Sequence, residues 1–119
     1  MKTSPAATHR IARAFVRPGY DSLVHVLVAA LDQAQAGKGL ERHASGEDFE
    51  DQQICQIPQW QGSVDFPLGQ AVKKCLEVNR LPNIEAKEME LLGAINYIAA
   101  AVIVLRESEQ NAPLNSKTP

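Results

Sequence analysis

The run Leu91-Leu92-Gly93-Ala94-Ile95-Asn96-Tyr97-Ile98-Ala99-Ala100-Ala101-Val102-Ile103-Val104-Leu105 decides the fold. It carries no charge, and its only amide side chain is that of Asn96. A bilayer span needs about 20 apolar residues. This stretch of 15 falls short of that and reads as a buried helix. Upstream lie Glu85, Lys87, Glu88 and Glu90, so the whole helix is expected from about Ile84 to Glu107, polar at first and then apolar nearly all round. A helix that is apolar on every side is buried on every side. A bundle of about four helices, this one included, covers it thinly, so a second subunit is the simplest cover. Gly93, Ala94, Ala100 and Ala101 would admit a close neighbour.

Working outward, Asp65-Phe66-Pro67 marks the start of a preceding helix, since proline suits the first turn, where its missing N–H costs nothing. Its expected apolar face is Leu68, Ala71, Val72, Cys75, Leu76 and Val78, and Pro82 ends it. Ser45-x-x-Asp48 resembles a capping box, opening a short helix with Phe49, Ile54 and Ile57 that stops before Pro58. Trp60 then falls in a connection with Gly62. Near the N-terminus, Asp21 or Ser22 can cap a helix whose stripe is Leu23, Val26, Leu27, Ala30, Leu31 and Ala34, closed by Gly37. No segment reads as a strand. The expected fold is all-α, a bundle of about four helices. Residues 1–19 are expected as a basic flexible arm, 20–107 as the helical domain and 108–119 as a disordered tail.

Composition fits one small domain. The chain has 119 residues, 45% apolar and 22% charged, with net charge −2. It is not a polycation, and 5% aromatic content gives no stacking platform, so nucleic acid is not the expected partner. Cys55 and Cys75 lie in no C-x-x-C pair, and both are expected as reduced thiols of the core. The N-terminus lacks the apolar segment of a secretory signal. With no span expected either, the predicted setting is cytoplasmic.

Three groups of residues could carry chemistry. Lys38, Arg42 and His43 lie in a loop with Gly37 and Gly39, where backbone and cations can meet an anion. Lys73 or Lys74 could join them from the helix that begins at Asp65. Asn96 and Tyr97 could line the same pocket, or Asn96 could instead bond across a helix interface. Carboxylates recur as Glu47/Glu50 and Glu85/Glu88, pairs that share a helix face and could hold Mg²⁺ through oxygen. The segment Glu85 to Leu105 loosely resembles the long helix of MazG-type nucleoside triphosphate pyrophosphohydrolases. It departs from them where an aspartate would follow: Leu91 stands three residues after Glu88. No serine, cysteine or histidine arrangement marks a nucleophile.

The runs Gly37-Lys38-Gly39-Leu40-Glu41-Arg42-His43-Ala44, Phe49-Glu50-Asp51-Gln52, Gly69-Gln70-Ala71-Val72-Lys73-Lys74 and Glu90-Leu91-Leu92-Gly93-Ala94-Ile95-Asn96-Tyr97 resemble small proteins encoded by tailed phages and prophages. That resemblance implies a phage setting and carries no activity with it; the functional expectation comes from the cationic glycine loop and the over-apolar last helix. The sequence therefore predicts a non-catalytic homo-oligomer without a cofactor that holds an anionic small molecule such as a nucleotide. The alternatives are a Mg²⁺-dependent pyrophosphohydrolase and an inhibitor of a host protein, using the acidic stretch from Glu41 to Asp51.

Overall fold

The computed structural model describes residues 16–36 and 47–111. Of these, 84% are helical, counting four α-helices and two short 3-10 turns, with no strand among the described residues. The helices are α1 (Asp21–Ala36), α2 (Gln53–Gln61), α3 (Asp65–Glu77) and α4 (Ile84–Asn111), with 3-10 turns at Phe49–Asp51 and Val78–Arg80. The all-α expectation holds. The other three helices all pack on α4.

Local chemistry sets the helix ends. Gly19 sits at φ +94°, in the turn after Pro18, and frees the chain to enter α1. The Tyr20 carbonyl accepts the first bond of that helix from the Val24 N–H at 3.1 Å. Asn83 caps α4, its Oδ1 accepting the Ala86 N–H at 2.8 Å. That helix runs to Asn111, four residues past the Glu107 end expected from sequence.

Proline 58 does not stop α2; it lies inside the helix, which also takes in Trp60. A proline at an interior position forfeits one backbone bond. Here its ring is fully buried, and the helix closes only at Gly62. Gly62 has a left-handed φ of +68°, and its N–H reaches the carbonyls of Gln59 and Pro58. Burial of the ring outweighs the local penalty.

The central cluster is Cys55, Ala100 and Val104, with Phe49, Ile54, Val64 and Ile103 packed against it. Helix α4 is therefore buried along one side rather than all round. Leu92, Gly93, Ala94, Ala100, Ala101 and Val104 face the other helices, so the small residues are covered by this chain and not by a second subunit. Opposite them, Leu91, Ile98, Val102 and Leu105 are exposed.

Helix α3 is rotated from its expected pose. Pro67 and Ala71 point inward, while Leu68, Val72 and Leu76 face solvent. With Pro67 and Ala71 inward, the Lys74 stem lies over Gly93 of α4, and the leucines point away from that contact. Cys75 is exposed with them, which corrects its expected place in the core; Cys55 is buried as expected.

Candidate functional site

Lys74 is held between α3 and α4. Its Nζ donates to Glu90 Oε1 at 3.1 Å and lies 5.9 Å from the centre of the Tyr97 ring. A Cβ at Gly93 would stand 3.2 Å from the Lys74 Cε, so the missing side chain makes room for the lysine stem. The ammonium is thus paired with a carboxylate and packed on a ring face. It braces α3 to α4.

Tyr97 belongs to the same brace. Its ring meets Phe66 of α3 edge-on, with centroids 6.3 Å apart. Asn96, one residue away, turns toward α1 and donates its Nδ2–H to the Ala30 carbonyl at 3.0 Å. These neighbours serve two different helix interfaces. The structural reading of Asn96, a polar tie across helices, is the one the geometry supports.

Lys73 lies on the outer side of α3, away from Lys74. It borders an open cleft of about 370 Å³ with Gly69, Val72, Leu76, Glu77 and Arg80. A second cleft, about 500 Å³, lies between the end of α2 and the last turns of α4, with Asp51, Gln59, Ser63, Glu107 and Asn111 among its lining. Gln59 Nε2 donates to Glu107 Oε1 at 3.1 Å and ties the two helices together there. Neither cleft is lined by Lys74, Asn96 or Tyr97. The expected cationic loop, Lys38, Arg42 and His43, lies outside the described residues.

The carboxylates stay apart. Among the described residues, no group of three or more His, Cys, Asp or Glu side chains comes together in a way that could hold a metal ion. Glu47/Glu50 and Glu85/Glu88 thus do not converge into the four-carboxylate site that the pyrophosphohydrolase alternative needs. Cys55 is unsuited to nucleophilic work: burial, then the negative charges of Glu107, Glu50 and Asp51, push its thiol up to about 11.

The feature that sequence reading missed is an apolar seam. Ile84, Leu91, Ile98, Val102 and Leu105 are exposed on α4, and Ile95 is half-buried between them. With Glu88, their numbers advance by 4, 3, 4, 3, 4 and 3. That spacing keeps all seven on one helix face. The signal was present in the sequence but hidden, because apolar residues on the buried side mask the period.

By length and composition α4 is also long and apolar enough to cross a membrane, with 33% of its most apolar window buried against the rest of the chain. The expectation of no span counted only the uncharged run of 15; the helix itself has 28 residues. Comparison with family models, curated proteins and solved structures finds no match to the chain.

Proposed function

We propose that this chain is a non-catalytic, self-associating helical protein of the cytoplasm that binds an anionic small molecule, with nucleotides the first class to test. One observation carries the self-association. Fifteen large apolar side chains, from Tyr20 to Leu105, are each at least 41% exposed. Soluble monomers seldom leave apolar surface in such continuous stripes. A cytoplasmic setting is favoured over a membrane because the helices packed on α4, of 16, 9 and 13 residues, are each too short to span a bilayer beside it. The anion reading rests on Lys73 and Arg80 at the open cleft of α3, and on the sequence of the 37–46 loop.

Light scattering of the purified chain tests the assembly. A particle of at least twice 13.0 kDa is expected, and a stable 13.0 kDa species at high concentration refutes it. Calorimetry with a nucleotide panel tests the ligand. Binding that weakens in Arg42→Ala or Arg80→Ala is expected; heats that do not differ from buffer for every nucleotide remove the anion reading.

A further inference from the structure

We infer that the exposed seam of α4 pairs with the same seam of a second copy, and that the two helices run antiparallel. The inference rests on the self-association proposed above and specifies its interface. Three observations lead to it.

The first is the pattern. Ile84, Leu91, Ile95, Ile98, Val102 and Leu105 follow the alternating 4-and-3 spacing of a two-helix seam, interrupted only by Glu88. From Ile84 to Leu105 the strip is about 32 Å long at 1.5 Å per residue. The second is exposure. Five of those six residues are between 41% and 72% exposed, although the opposite side of α4 is fully packed. The strip is thus left over after the chain has made its own contacts.

The third is charge, and it fixes the direction. Glu88 lies in the strip near its N-terminal end with Glu85 close by, and Arg106 borders the strip at the other end. All three are exposed, and among the described residues none of them is in an ion pair within the chain. In an antiparallel pair centred between Ile95 and Ile98, Ile95 meets Ile98 of the second copy and Leu91 meets Val102. Arg106 then lies beside Glu85 and Glu88 of the other copy, twice by symmetry. A parallel pair would set Glu88 against Glu88 across the seam and keep each Arg106 about 27 Å or more along the helix from either glutamate. Like charges facing each other across a seam oppose pairing, and antiparallel helix dipoles favour it.

Disulfide trapping in the full chain with Cys75→Ser decides the geometry. Leu91→Cys/Val102→Cys is expected to give a covalent dimer under mild oxidation, while Leu91→Cys alone gives none. Within one chain these positions are about 16 Å apart along the helix, so they cannot close on each other. Arg106→Glu is expected to weaken association by at least about tenfold. Glu85→Arg/Glu88→Arg/Arg106→Glu is expected to restore it. Circular dichroism on each variant checks that the helices remain.

Trapping by Leu91→Cys alone means a parallel pair and overturns the inference. An oligomer that neither cysteine variant traps assembles through another face: the inference then fails and the self-association stands. A 13.0 kDa monomer sinks both. Recovery of the chain only in detergent, with lipid vesicles, assigns the strip to a bilayer and overturns the pairing.

Discussion

Asn96 of α4 donates its side-chain N–H to the main-chain carbonyl of Ala30 in α1, at 3.0 Å. Ala30 is almost fully buried, so the two helices are keyed at one level by a directional contact inside an otherwise apolar interface. The partner side chain on α1 is small enough for the backbone itself to be the acceptor.

Removing that tie should cost stability without unfolding the chain. Asn96→Ala is expected to lower unfolding free energy by about 1–2 kcal/mol, the usual size for a part-buried hydrogen bond plus lost contacts. Asn96→Asp should cost more at neutral pH, since it sets a carboxylate against a carbonyl oxygen. Urea unfolding followed by circular dichroism measures both; equal stability of Asn96→Ala and the parent would mean the tie contributes nothing.

Gly93 tests how tightly Lys74 is held. Alanine should gain about 1 kcal/mol of helix propensity, offset by pushing the lysine stem a few tenths of an ångström. Gly93→Ala is therefore expected within about 1 kcal/mol of the parent. Gly93→Leu has no such room and should lose at least about 2 kcal/mol through overpacking. Thermal unfolding of the two variants side by side reads the difference.

The two lysines of α3 should separate in function. Lys74→Met keeps the stem against Gly93 and Tyr97 and loses an ion pair whose members are about one-quarter exposed, so its cost is expected below about 1 kcal/mol. It should leave nucleotide affinity unchanged. Lys73→Ala should leave stability unchanged and weaken any anion bound at the α3 cleft. Calorimetry and melting curves on both variants test the pair, and a loss of affinity in Lys74→Met would reverse the assignment.

The cysteines should differ in reactivity and in their linkage to pH. Cys75 is exposed and should react with a thiol reagent at pH 8 in the folded protein, whereas Cys55 should react only after denaturation. The Cys55 thiol is raised from 9.0 to about 11, so the folded state keeps a proton that the unfolded state releases. Its contribution to stability is whole below pH 9 and falls as pH rises from there through about 11. Cys55→Ala should flatten that alkaline decline.

Much of the bundle can be read from side-chain order. The start of α1 at Asp21, the start of α3 at Asp65 and the polar opening of α4 all follow from residues at those points. Pro58 misleads because local rules price its lost backbone bond and cannot price the burial of its ring. The partners of Asn96 and Tyr97 are not legible in sequence: the amide bonds the Ala30 carbonyl of α1 and the ring meets Phe66 of α3, contacts between residues distant along the chain.

The sequence by itself determined that this chain is helical, and that its last helix is too apolar to stand in water alone. Those properties are local: they depend on which side chains follow one another along 3.6-residue turns. Tertiary structure alone decided which side of each helix is covered. Small residues such as Ala30, Ala71, Ala94, Ala100 and Ala101 hold the interior, while Leu23, Leu27 and Leu31 of α1, Leu68 and Leu76 of α3 and the seam of α4 face outward. Helix rotation is settled by how closely two backbones can approach, and that distance depends on both partners at once.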